Sequence, residues 1–304
     1  MQIRLPYYQL ALPGLLRGGA AENKSANQIF SGIGDEYWYW LHTRGYRKNP
    51  ALRDILPATA DEDTQLMFTG SKGDTVMREG YVAYRLFRDL YEKHVGPISQ
   101  CENVLDFGCG WGRIIRFFMK DLAPSKLWGC DPVQDMIEMC KSQNKWCNFT
   151  QISTRPPTPY ADNTFDLIYS FSVFSHLSEE MSNAQLAELT RILKPGGLLI
   201  VTTRSRDFIE HCAMLRKRKD LASIHPGPRS SAEAFLNTEE SLSEYDRGDY
   251  CFSQLVHEGE WSYWGDAAIS REYVLKNWTK SLDFIDYVDD QKSISQNAIV
   301  MIKR

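Results

Sequence analysis

From about residue 102 the chain alternates short apolar runs with amphipathic stretches. Asn103–Phe107, Lys126–Cys130, 147–151, Phe165–Phe171 and Leu198–Thr203 read as strands. Leu198–Thr203 is continuously strand-forming, as in strands covered on both faces. Between these runs, 111–121, the stretch after Asp131-Pro132 (Val133, Met136, Ile137, Cys140) and 179–193 (Leu186, Leu189, Ile192) repeat apolar residues at helical spacing. Lys194-Pro195-Gly196-Gly197 interrupts the chain before the fifth strand, and Phe284–Val288 and Ala298–Ile302 add two more strands. Repeated strand–helix units predict an α/β fold with a doubly wound, mostly parallel, seven-stranded sheet.

Two regions fall outside this rhythm. The segment before the first strand carries Tyr37, Trp38, Tyr39, Trp40 and Tyr46 and ends in a helix over about 74–95, with Val82, Leu86, Leu90 and Tyr91 on one face. The second, 204–268, follows the fifth strand. It holds the basic run Arg216–Lys219, then acids including Glu239, Glu240 and Asp246, then Tyr250, Phe252, Trp261, Tyr263 and Trp264. The expected organisation is a helical N-terminal cap over 1–73 and a ligand-binding domain over 74–304, interrupted by a lid at 204–268.

The chemistry concentrates at Val104-Leu-Asp-Phe-Gly-Cys-Gly-Trp-Gly-Arg113. An apolar strand ends in Asp106, and Gly108, Gly110 and Gly112 follow at alternate positions. Such a turn lets a ligand approach main chain where a Cβ would collide. The N–H groups opening the next element can hold an anion. A dinucleotide fingerprint places its last glycine where Arg113 stands, so the spacing argues against that ligand. Asp131 ends the second strand 19 positions beyond Gly112 (131 − 112). An acid there reaches both hydroxyls of a ribose, or caps the following helix.

These pieces resemble the motifs of class I S-adenosylmethionine-dependent methyltransferases. The D-x-G-x-G-x-G run resembles the family's first motif, Tyr160–Leu177 its fourth strand, and Leu193-Lys-Pro-Gly-Gly-Leu-Leu-Ile-Val its entry to the fifth. The likeness covers about 100–203 closely and 270–304 loosely; it covers neither 1–70 nor the insertion. It implies a Rossmann-like methyltransferase fold with S-adenosylmethionine as cofactor and no metal. It also implies residue roles. Asp106 orients the glycine turn, and Gly108, Cys109 and Gly110 line the methionine moiety. Asp131 binds ribose with Pro132 beside the adenine, and Ser170 and Phe171 lie near the sulfonium. Thr154 stands where the family usually carries an acid or polar residue at the adenine edge. Arg78 is a candidate for the methionine carboxylate, against a solvated helix arginine. His176, just past the fourth strand, is the candidate catalytic base, against a packing role.

Composition narrows the partners. With 35 basic and 39 acidic residues the net charge is −4, so no global basic field favours nucleic acid. The Arg216–Lys219 run reads as a solvated helix face, or as a site for an acidic partner. No apolar stretch approaches a membrane span, and no signal-peptide pattern opens the chain. Seven cysteines without a C-x-x-C pair fit a reducing cytoplasm rather than a disulfide framework or zinc site. His42, His94, His211, His225 and His257 show no ligand spacing. The expected function is methyl transfer to a small-molecule acceptor. An NAD(P)-dependent oxidoreductase and a methyltransferase of protein or RNA are the alternatives. No Asn/Asp-Pro-Pro-Tyr motif, common in base and amide methylators, follows the fourth strand.

Overall fold

The computed structural model describes residues 24–220, 226–256, 258–259, 261–290 and 294–304. His225, His257 and the opening segment 1–23 lie outside the described residues. The main sheet has seven strands, and two further strands form a separate pair. The chain divides into two units, one through Glu92 with Gly96–Gln151, the other Lys93–Val95 with Ile152–Arg304.

In the first unit, β1 (Val104–Phe107), β2 (Leu127–Asp131) and β3 (Asn148–Gln151) pair in parallel. Asp106 lies opposite Gly129, which lies opposite Phe149. A Cβ on Gly129 would stand 2.8 Å from the Phe149 ring and 3.0 Å from the Cys109 sulfur, so only glycine fits there. Helix α1 (Asp74–His94) buries Met77, Tyr81, Tyr84, Phe87 and Tyr91. Val82 and Leu86, expected on the buried face, are half-buried. The face turns toward the rings because they bury more area.

Residues 111–121 do not form the expected α-helix: turns lead into a 3₁₀ helix over Ile115–Lys120. All six of its residues are buried, and the Phe117 carbonyl accepts from Trp38 Nε1 at 2.8 Å. That carbonyl serves a tertiary partner, and close packing on every side favours the tighter coil. Trp38 meets His42 edge-on at 4.3 Å and Phe30 at 5.4 Å, while Tyr84 meets Phe118 edge-on at 4.9 Å. Thus the aromatic run at 37–40 builds core: Tyr37, Trp38 and Trp40 are all buried. Arg116 crosses this core and donates from Nη2 to the carbonyls of Pro57 and Ala58. After β2, helix α2 (Gln134–Gln143) buries Met136, Ile137 and Cys140.

In the second unit, β4 (Phe165–Ser170) runs parallel to β5 (Leu193–Thr203). Helix α3 (Glu179–Ile192) joins them, capped where the Ser178 hydroxyl accepts from Met181 N–H. The expected break at 194–197 lies within β5 as a bulge. Phe165 pairs with Leu193 and Leu167 with Leu198, so two residues of one strand span five of the other. Gly196, at φ +76°, makes that bend. β9 (Asn297–Lys303) and β8 (Leu282–Val288) complete the sheet antiparallel.

The insertion has its own core. Helix α4 (Arg206–Arg216) packs Ile209 and Cys212 against Phe235, Cys251 and Ala268, beside the hairpin of β6 (Tyr250–Gln254) and β7 (Gly265–Ile269). Two links tie it to the C-terminal end of β5: a bridge from Arg204 to Ala268, and Ile269 N–H donating to Thr203 Oγ1 at 3.1 Å. The basic run is more than a solvated face. Arg216 donates to the carbonyls of Ala232, Ala234 and Phe235 and so closes the following segment, and Arg218 pairs with Asp220.

Candidate active site

The glycine turn is held by its neighbours in the first unit. Gly108 and Cys109 N–H both donate to the Cys130 carbonyl, at 2.8 and 3.0 Å. Gly108, Gly110 and Gly112 have φ of +78°, +50° and +76°, a region that only glycine enters cheaply. At Gly110 a Cβ would meet no atom within 4 Å. The side chain is absent where space is open, as a ligand cradle requires.

Asp131 closes the turn. Its Oδ2 accepts from Gly110 N–H and its Oδ1 from Val133 N–H, each at 2.9 Å. Burial pushes its pKa up, and the two N–H groups oppose that rise. A carboxylate has about four acceptor positions, so both oxygens keep capacity for two hydroxyls. Pro132, beside it, accepts from Gln151 Nε2 at 3.4 Å. Under the turn, Cys140 donates to the Gly110 carbonyl at 3.2 Å. The Cys109 thiol is pushed well up by its hydrogen bond with Cys140 and by burial, so it is a packing group rather than a nucleophile.

Asp106 is buried at the end of β1, and its charge acts on Arg113. Arg113 is buried too and donates to Glu79 at 2.9 Å. Gly80 leaves room for it, since a Cβ there would lie 2.7 Å from Arg113 Cγ. Sequence reasoning missed this pair; Gly80, two residues after Arg78, was the available signal. Arg78 itself pairs with Glu36 at 3.3 Å and lies 5.1 Å from the centre of the Tyr81 ring, with its side chain 48% exposed.

The second unit supplies the end of β4. Ser170 is fully buried, and its hydroxyl has no hydrogen-bond partner among the described residues. Phe171 is half-buried. Ser172 adopts φ +61°, a strained conformation for a side-chain-bearing residue. Two bonds hold it: its N–H donates to Thr202 Oγ1 at 2.7 Å, and Gln296 Nε2 donates to its hydroxyl at 2.9 Å. Thr154 gives its carbonyl to Gln185 Nε2 at 2.9 Å.

His176 Nδ1 bonds the Gly265 carbonyl at 2.8 Å, and its ring stacks on Trp264 with centroids 4.8 Å apart and planes at 11°. Because a carbonyl only accepts, this bond fixes the proton on Nδ1. Nε2 is left as an acceptor with no hydrogen-bond partner among the described residues. Burial, then the charge of Arg204, pushes the imidazole down to about 4, so it is neutral at physiological pH. Asp266, 3.5 Å from Nδ1, is pushed by burial up to about 6, against the pull of Arg204. Sequence reasoning also missed Arg204, Asp266 and Gln296. Nothing local marks them, because β7 and β9 bring them to the ends of β4 and β5.

A mostly parallel sheet, a glycine turn after its first strand and an acid ending its second define a Rossmann-like α/β domain. Residues 104–197 match the family described as Methyltransferase domain. The chain is 29% identical over 126 residues to an uncharacterized methyltransferase (C1B3.06c) of Schizosaccharomyces pombe, covering 38% of this chain and 44% of that protein. It is 25% identical over 168 residues to a phthiotriol/phenolphthiotriol dimycocerosates methyltransferase of Mycobacterium ulcerans, covering 55% and 58%. Against the tRNA (carboxymethyluridine(34)-5-O)-methyltransferase of Arabidopsis thaliana it is 31% identical over 160 residues, covering 46% and 37%. The matches thus span about half, or less, of these relatives. Among solved structures, Streptomyces venezuelae DesVI aligns with a TM-score of 0.48 at 15% identity, covering 81% of this chain and all of that one. No described helix is long and apolar enough to cross a membrane.

Proposed function

We propose that this protein transfers a methyl group from S-adenosylmethionine to a small-molecule acceptor. The observation that carries the reading is the Asp131 clamp on a glycine turn whose Gly110 opens onto free space. The cofactor supplies a methyl carbon already activated by its sulfonium, so no metal or covalent nucleophile is needed. The chain's part is positioning. Asp131 takes the ribose hydroxyls while holding Gly110, and Gly108, Cys109 and Gly110 present main chain to the methionine end. Ser170 and Phe171 border the transfer path, with Thr154 at the adenine edge and Asp106 and Arg78 serving the methionine end. His176 Nε2 accepts the proton of an acceptor hydroxyl or amine as the nucleophile's bond to the methyl forms and the carbon–sulfur bond breaks. Holding the three atoms in line provides most of the rate.

The small-molecule reading rests on the second unit. The insertion ties its own hairpin to the end of β5 and to His176. The cap domain at 1–73 and the lid at 204–268 belong to this proposal. The tRNA-modifying relative favours nucleic acid, but Arg216 and Arg218 are spent on internal carbonyls and on Asp220.

Calorimetry with S-adenosylhomocysteine tests the cofactor reading. Wild type is expected to bind in the micromolar range, about −8 kcal/mol. Asp131→Ala is expected to weaken binding by about 1–3 kcal/mol. Binding of NADH and none of S-adenosylhomocysteine would overturn the proposal.

A further inference from the structure

At the end of β5, the second unit holds an open pocket of about 340 Å³, within the range of small-ligand pockets. Arg204, Phe208 and Met214 line it, with Gln296 and Asn297 across from them. Arg204 follows the last residue of β5, and its guanidinium carbon lies 4.3 Å from the centre of the Phe208 ring. Its Nε is sealed from solvent without a hydrogen-bond partner, and its guanidinium makes no ion pair within 4.0 Å among the described residues. The buried Arg113 and Arg116 are by contrast committed, Arg113 to Glu79 and Arg116 to the Pro57 and Ala58 carbonyls. Arg204 is half-buried, and a guanidinium without a counter-ion at a pocket wall is suited to anchor an anion.

Three further features set the charge of the missing partner. Helix α4 begins at the cavity wall, where Ser205 just before it and Asp207 of its first turn line the same space, and the positive end of its dipole favours an anion. Asp207 stands exposed on the rim and Asp266 is buried near Arg204, so two carboxylates temper the positive field. A singly charged anion is accommodated, whereas a dianion meets repulsion. The planar guanidinium fork matches a carboxylate in geometry. Phe208 and Met214 give the wall an apolar stretch for the rest of the molecule.

We propose that this cavity is the acceptor site and that Arg204 anchors a carboxylate of the methyl acceptor. The assignment of the cavity to the acceptor rests on the methyltransferase reading; the carboxylate site stands apart from it. Gln296 links the two, since it lines the cavity and donates to Ser172 just past β4.

The test compares 4-hydroxybenzoate and phenylacetate with their primary amides, with inorganic phosphate as a third arm. Binding is followed by ligand-observed NMR on the full chain at millimolar probe concentration, with and without S-adenosylhomocysteine. The carboxylates should bind about tenfold or more tightly than the amides and more tightly than phosphate. Arg204→Gln should abolish that preference while leaving S-adenosylhomocysteine affinity unchanged. Equal binding of acid and amide, stronger binding of phosphate, or no carboxylate binding would each overturn the proposal. Because acid and amide are compared on wild-type protein, the outcome survives a variant that fails to fold. Carboxylate binding without S-adenosylhomocysteine binding would sink the methyltransferase reading and the acceptor role alone. The reverse result would sink the carboxylate site alone.

Discussion

His176 Nδ1 and the Gly265 carbonyl meet at 2.8 Å, fixing the imidazole across the end of β4 with its Nε2 unshared. This one bond decides the tautomer, ties the insertion's hairpin to the sheet, and makes the ring a proton acceptor rather than a donor. At physiological pH the neutral ring needs no prior deprotonation, although its depressed basicity limits its driving force.

His176→Ala is therefore expected to lower kcat by about 10²–10⁴-fold on the true acceptor, with S-adenosylhomocysteine affinity unchanged. In wild type the acid limb of the kcat profile should fall as pH drops toward about 4, where the ring gains its proton. Preserved turnover per folded molecule in the variant would assign His176 to positioning alone.

Stability should show two opposing proton linkages at the same place. His176 titrates near 4 when folded against 6.5 unfolded, so its contribution is complete above 6.5 and lost as pH falls toward 4. Asp266 titrates near 6 against 3.8, so its contribution is present below 3.8 and lost as pH rises through 6. Across the shared interval the two slopes cancel. Asp266→Asn should unmask the His176 slope, making urea-unfolding stability fall more steeply below pH 6.5 than in wild type. An unchanged pH dependence would count against the burial of this pair.

Two glycines separate ligand effects from fold effects. Gly110→Ala puts a methyl into open space at φ +50°, costing about 1–2 kcal/mol of backbone strain and a larger loss of S-adenosylhomocysteine affinity. Gly129→Ala drives a methyl into Phe149 and Cys109, costing about 1–3 kcal/mol of stability. Calorimetry and denaturant melts on both variants check this contrast.

Trp38 is fully buried and gives its indole N–H to Phe117. Trp38→Ala should cost about 3–5 kcal/mol in denaturant unfolding. Trp38→Phe should cost about 1–3 kcal/mol, because the Phe117 carbonyl is then left unpaired. A variant as stable as wild type would show that the aromatic cluster of the first unit is not core.

The sequence by itself determined the strands of the main sheet and the acid-and-glycine motif proposed to hold the cofactor. Both rest on local rules: strand runs alternate with helical periodicity, and Asp106, the glycines and Asp131 sit within one strand–turn–helix unit and the next strand. Local rules failed where long-range packing took over. The stretch 111–121 reads as an α-helix, yet its Phe117 carbonyl answers to Trp38, 79 positions away. Val82 and Leu86 read as a core stripe, yet α1 rolls toward its tyrosines because rings bury more area. The Lys194–Gly197 break became a bulge because Gly196 bends the chain without releasing β5 from β4. The cluster of His176, Arg204, Asp266 and Gln296 exists only in three dimensions. Its members come from the ends of β4 and β5, from a hairpin of the insertion and from the start of β9. Their charges acquire meaning through burial together, which no local pattern along the chain encodes.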